Sequence, residues 1–202
     1  EILNIFVKNI FNDYTIILFL IGMLALSYYM LGFEVNKKIN RKEITITVAV
    51  YTAALLIMLY GLGIFIGFAR SPYSTNWLIL IRNIFPVAIQ IVTTELLRYN
   101  ILKKSGSTSK VKLMVIILTT LLDASLAVHL YDVKTFMGAE EMIMSVIIPM
   151  ASKNIMLTKF SSSYGYEPCW TYALIIGLYQ YILPIQTNLN IYLQSVLLFL
   201  IP

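Results

Sequence analysis

Residues 78–102 read LILIRNIFPVAIQIVTTELLRYNIL. The run is long and apolar enough to cross a bilayer, yet it holds Arg82, Asn83, Gln90, Glu95 and Arg98. A charged group at the centre of a membrane helix costs roughly 2.5–3.5 kcal/mol on insertion scales. Such a helix keeps its charges only where they face other protein groups. Asn83, Gln90, Thr94 and Arg98 recur at helical intervals and predict one polar stripe turned into a bundle. Glu95 and Arg98 stand three residues apart, so they can pair along the helix. Arg98 near the helix end can also extend toward headgroups. Pro86 removes one helical hydrogen bond and predicts a bend.

The rest of the chain repeats the apolar theme. Apolar residues make up 59% and charged residues 12% of 202, against about 25% charged in a typical soluble domain. Mean hydropathy is +0.80. The fold class expected is all-α, a polytopic transmembrane bundle of about six spans, at roughly 20 residues per crossing. The expected spans are residues 14–33, 44–69, 78–102 and 113–131, a less regular 142–160 that kinks or re-enters at Pro149, and 169–183. Residues 190–202 are too short to span and predict a re-entrant or interfacial helix. Residues 1–12 mix apolar and polar positions, as in an interfacial helix or the tail of an earlier span. Gly63 and Gly67 lie four apart, a spacing that allows close helix approach. The whole chain reads as one transmembrane domain, expected to be a piece of a longer protein because it opens on Glu1 and stops at Pro202 within an apolar run.

Charge sets the expected orientation. The stretches 34–43, 103–112 and 153–168 carry ten Lys and Arg. The alternate side carries Lys8, Arg70 and Lys134. The Lys-rich stretches are therefore expected to be cytoplasmic loops of a multi-pass protein in the cell membrane. The net charge of +5 is spread among these topology signals and does not point to nucleic acid. The lone Cys169 excludes an internal disulfide, and the lone His129 excludes a multi-histidine metal centre; no cofactor or metal is implied.

Asp123 falls near the middle of its span, with Lys153, Asn154 and Arg98 as candidate partners. The candidate buried polar set is thus Asn83, Gln90, Glu95, Arg98, Asp123, Lys153 and Asn154. No catalytic motif accompanies it. Ser152 and Lys153 are adjacent, so on a helix they point apart and do not form a dyad. Only Glu95 and Asp123 offer acid–base groups.

Two blocks together resemble a known family. They are residues 67–102, with Gly67-Phe68, Ser71-Pro72-Tyr73 and Glu95-Leu96-Leu97-Arg98-Tyr99, and residues 152–202, with Asn154–Thr158, Gly165-Tyr166 and Leu183-Pro184-Ile185. Their order and content resemble the multi-spanning membrane region that precedes the catalytic domain in some bacterial type I signal peptidases related to the endoplasmic-reticulum type. The pattern departs after Ile185, where Gln186, Thr187 and Asn188 replace a second proline and an acidic residue. The resemblance implies a membrane module that anchors, or presents signal-peptide helices to, an extracytoplasmic serine-protease domain not contained in this chain. It supplies no catalytic residue. The alternative from the polar set alone is a small six-helix membrane subunit that binds or transports a substrate.

Overall fold

The computed structural model describes residues 13–33, 40–73, 76–127 and 135–200. It is all-helical apart from one short ribbon. In chain order the elements are α1 (Asp13–Leu31), α2 (Arg41–Ile66), β1 (Phe68–Arg70), α3 (Trp77–Lys104), α4 (Ser109–Ala127), α5 (Phe136–Met142), a π-turn (Ile143–Ile147), α6 (Ile148–Tyr164), α7 (Tyr166–Ile182), β2 (Ile185–Thr187) and α8 (Ile191–Leu200). Two of them, α2 and α3, are long and apolar enough to cross a membrane.

Local chemistry explains the ends. Asn76 caps α3, its side chain accepting from the Leu78 N–H, and Thr135 caps α5 by accepting from the Gly138 N–H. Both fill orphan donors of a first turn. Gly67 at φ 104° and Gly165 at φ 102° end α2 and α6 in a region that suits glycine.

Several expectations need correction. Residues 142–160 are helical throughout: α5, the π-turn and α6 run without interruption from Phe136 to Tyr164. Pro149 is accommodated because the wider π-turn sits immediately before it. Proline lacks the N–H that an α-helix would direct at the Ser145 carbonyl; the Ser195 hydroxyl of α8 donates to that oxygen at 3.4 Å. The expected loop at 153–168 is helical, broken only at Gly165, so Lys153 belongs to a helix and not to a loop. Ser161, Ser162 and Ser163 resemble a loop by composition, but tertiary packing overrides that local preference. The stretch 103–112 narrows to residues 105–108 between helices. Residues 1–12, most of the 34–43 stretch, His129 and Lys134 lie outside the described residues.

Packing is organised around α3, which contacts α1, α4, α6 and α7, while α7 also holds α2 and α6 also holds α4 and α8. The interior is unusually polar. Thr52, Thr93, Glu95, Arg98, Asn100, Thr120, Asn154, Thr158 and Ser161 are buried, while Ile57, Ile64, Phe65, Leu78, Phe85, Met114 and Leu121 are exposed. So many buried polar groups and exposed large apolar ones depart from the usual soluble distribution.

At one end, β1 and β2 pair antiparallel, Phe68 opposite Thr187 and Arg70 opposite Ile185. Ser71 N–H donates to the Pro184 carbonyl at 2.9 Å and Asn188 N–H to Gly67 at 3.1 Å, extending the ribbon at both ends. Tyr60 of α2 donates to the Ile185 carbonyl at 2.7 Å. Gly63 serves this ribbon and not a helix–helix contact: a Cβ there would lie 2.5 Å from Phe68 Cε1 and 2.7 Å from Thr187 Cγ2. The helix–helix approach comes elsewhere, at Gly177 of α7, where a Cβ would meet Ile91 Cδ1 at 2.6 Å.

Gly63→Ala is therefore expected to lower stability by about 1–3 kcal/mol through overpacking. Gly61→Ala, with nothing within 4 Å of its Cβ, is expected to be neutral or stabilising by up to about 1 kcal/mol from helix propensity. Denaturant unfolding of the purified, solubilised chain checks both; equal effects of the two variants would refute the ribbon contact.

Candidate functional site

The candidate polar residues converge on one buried network where α3, α4 and α6 meet. Its centre is Arg98, 2% exposed. Arg98 Nη1 donates to the Asn154 carbonyl at 3.0 Å and to Thr158 Oγ1 at 3.1 Å. Nη2 donates to Asn154 Oδ1 at 2.6 Å and pairs with Glu95 Oε1 at 3.2 Å. The sequence places these partners well: residues 154 and 158 are one helical turn apart on α6 and face the same way, as do Glu95 and Arg98 on α3.

Asn154, fully buried, relays this centre to a second ion pair. Its Nδ2 donates to Asp123 Oδ2 at 3.0 Å and Thr120 Oγ1 at 3.3 Å. Lys153 Nζ meets the same Asp123 oxygen at 2.8 Å. The amide thus accepts from the guanidinium on one side and donates to the carboxylate on the other. Two carboxylates, one guanidinium and one ammonium leave the network formally balanced. The Lys153–Asp123 end is partly open, with side chains 30% and 17% exposed, whereas the Arg98–Glu95 end is closed at 1% and 4%.

Of the candidate set, Glu95, Arg98, Asp123, Lys153 and Asn154 are brought together. Asn83 and Gln90 are half-buried farther along α3 and take no part. The buried edge of α3 is instead Glu95, Arg98, Tyr99 and Leu102. Residues not singled out from sequence are Thr120, Thr158 and Asn100. Two of them carry a readable signal, a threonine one turn from a polar residue already suspected: Thr120 from Asp123, and Thr158 from Asn154. Asn100 Nδ2 donates to Ser27 Oγ at 2.6 Å and ties α1 to α3.

Chemically, this arrangement clamps helices together. Glu95 and Asp123 are joined through Arg98 and Asn154, with Glu95 enclosed beside the guanidinium. Among the described residues, no group of His, Cys, Asp and Glu is arranged to hold a metal ion. Cys169 is buried, its thiol donating to the Leu157 carbonyl at 3.3 Å, another α7–α6 tie.

Removing one member of a buried ion pair strands the other, typically at a cost of about 3–5 kcal/mol. Arg98→Met is expected to show a loss of that size in denaturant unfolding of the solubilised chain. Glu95→Leu combined with Arg98→Met is expected to recover most of it, because no isolated carboxylate remains. A double variant less stable than the single one would show that the guanidinium acts mainly through Asn154 and not through charge pairing. Comparison of this chain with protein-family models, curated proteins and solved structures finds no match.

Proposed function

We propose that this chain is the multi-spanning membrane module of a signal-peptidase-like protein, anchoring or presenting signal-peptide helices to a serine-protease domain that lies outside it. The observation that carries this reading is how the resembling segments meet. Gly67-Phe68 and Ser71 lie against Leu183-Pro184-Ile185 in the ribbon and its flanking bonds, and Glu95 and Arg98 lie against Asn154 and Thr158 in the buried network. The segments that carry the resemblance are far apart in the chain, and they meet in the ribbon and in the buried network.

In this reading six spans are α1, α2, α3, α4, the continuous α5–α6 helix and α7, with α8 as a short terminal helix. Contacts between helix ends support alternate crossing. Each joins segments assigned to the same side: Arg41 of α2 with Glu167 of α7 at 3.3 Å, and residues 67–71 with 184–188 at the opposite end. Aromatic residues gather at both ends, as at membrane interfaces. Tyr28, Phe33, Tyr99, Tyr166 and Trp170 form a chain of ring contacts at one end, and Tyr60–Phe68 and Tyr73–Tyr181 pair at the other. The apolar exterior around a polar interior suits lipid, where packing and hydrogen bonds hold helices together. The ribbon end would be extracytoplasmic and the residues 105–108 cytoplasmic, in keeping with the excess of Lys near the latter. The alternative reading is a small six-helix membrane subunit that binds or transports a substrate.

Two measurements test the proposal. In a Cys169→Ser background, a single cysteine at Ser71 is expected to react with an impermeant maleimide in intact cells, and one at Ser107 only after permeabilisation; the reverse would overturn the orientation. In membranes containing the full gene product, a photo-crosslinker in the signal peptide of a secreted precursor is expected to capture this module, with cleavage of the precursor. Neither capture nor cleavage above that of membranes lacking the protein would reject the function.

A further inference from the structure

Along the continuous α5–α6 helix, where α8 lies against it, runs a groove of about 370 Å³ bordered by Glu140, Met144, Ile148, Tyr192, Val196 and Phe199. None of these residues belongs to the Arg98 network. Two hydroxyl bonds hold the walls in register: Ser195 donates to the Ser145 carbonyl at 3.4 Å, and Ser152 to the Phe199 carbonyl at 3.0 Å. Residue numbers rise together across these bonds, so α8 runs parallel to its neighbour. Glu140 and Tyr192 therefore stand at one end of the groove, and Ile148 and Phe199 at the other.

The order of side chains along the groove follows the helix period. Glu140, Met144 and Ile148 are spaced by four and share one face. Tyr192, Val196 and Phe199, spaced by four and then three, share a face of α8. One end of the groove is thus acidic and phenolic, and the rest is apolar. Met144, Tyr192, Val196 and Phe199 are each about half exposed, and Glu140 is exposed at the mouth, so the groove opens outward. An open apolar surface with a polar rim marks a site of interaction.

Length and charge select the occupant. From Glu140 to Ile148 the helix rises about 12 Å, at roughly 1.5 Å per residue. That is close to one leaflet, half of a hydrocarbon core roughly 30 Å thick, and well short of the roughly 20 residues that a crossing helix needs. One acyl chain with its headgroup at the Glu140 end fits this depth. Among the described lining residues Glu140 carries the only charge, and a carboxylate attracts a cationic headgroup and repels an anionic one. Tyr192, with an apolar ring and a polar tip, suits the level where headgroup meets chain.

We propose that this groove binds an aminophospholipid of the phosphatidylethanolamine type. Its ammonium meets the Glu140 carboxylate, and one acyl chain lies along Met144, Val196, Ile148 and Phe199. The inference shares the membrane setting of the proposed function and is independent of any role in precursor cleavage.

The test uses the full chain, purified and delipidated in neutral detergent, with no precursor present. The probes are dioleoyl phosphatidylethanolamine and dioleoyl phosphatidylglycerol in equal amounts; they share chains and phosphate and differ in the amine. Native mass spectrometry reads the lipid retained. Phosphatidylethanolamine is expected to be retained about tenfold over phosphatidylglycerol. Glu140→Gln is expected to bring that ratio to about one, as loss of one charge-assisted hydrogen bond does. Val196→Trp, which fills the groove, is expected to lower retention of phosphatidylethanolamine about tenfold. Glu43→Gln on α2, outside the groove, is expected to keep the wild-type ratio. Equal retention of the two lipids by wild type, an unchanged ratio in Glu140→Gln, or wild-type retention in Val196→Trp overturns the proposal. Should Val196→Trp alter the lipid-free unfolding curve, Glu140→Gln, a change of similar shape at an exposed position, decides the question. Precursor capture and cleavage can fail while this preference stands, and the converse, so the two proposals fall separately.

Discussion

The guanidinium of Arg98 is the constraint on which the rest of the bundle depends. It is almost fully enclosed, so its charge must be met by protein; its two terminal nitrogens find partners, and Nε has none among the described residues. Glu95 offsets the charge from one turn back on the same helix, and Asn154 and Thr158 on α6 take the hydrogen bonds. The requirement dictates how α6 faces α3, because only one rotation of α6 brings both a carbonyl and a hydroxyl to the same nitrogen. Asn154 then passes the constraint to Asp123 on α4. Three helices are oriented by one buried cation, and specificity of this kind is where a polar core earns its retention.

Backbone accounting explains the second half of the chain. A proline within a long helix leaves a carbonyl without its usual donor, and the π-turn before Pro149 shifts the register further. The short α8 answers both from outside. Its Ser195 hydroxyl donates to the Ser145 carbonyl, while Ser152 donates to the carbonyl of Phe199 in the last turn of α8. Each helix thus donates a serine hydroxyl to a backbone carbonyl of the other. Such reciprocity fits an apolar surrounding, where an unsatisfied carbonyl has no water to turn to.

Much of this was legible in the sequence, and the failures have physical reasons. The apolar runs announced helices, and the costly charges in residues 78–102 announced an inward face; Glu95, Arg98, Asp123, Lys153 and Asn154 do assemble. Asn83 and Gln90 fit the same helical period but stay out, because period marks a face and not the depth at which a partner helix crosses it. The serine-rich stretch at 161–163 resembled a loop because local composition says nothing about the helix that will pack on it. Gly63 illustrates a further limit: its spacing from Gly67 fits a helix-packing motif, but the space is occupied by a ribbon that joins Phe68, five residues on, to Thr187, more than a hundred positions later. Pairings of that separation leave no mark on either segment alone.

The spacing of the Arg98 partners along the chain carries a consequence for how the protein is made. Asn154 is 56 residues downstream, two further helices after α3 has left the ribosome. A helix delivered to a bilayer in order of synthesis would hold its guanidinium exposed through that interval. Glu95, three residues away, closes the gap: in the proposed membrane reading the carboxylate travels with the Arg98 cation and pairs it within the same helix. On the proposed membrane reading the pair would serve two stages, masking the guanidinium before α6 is made and then forming part of the set of partners that Asn154 and Thr158 complete.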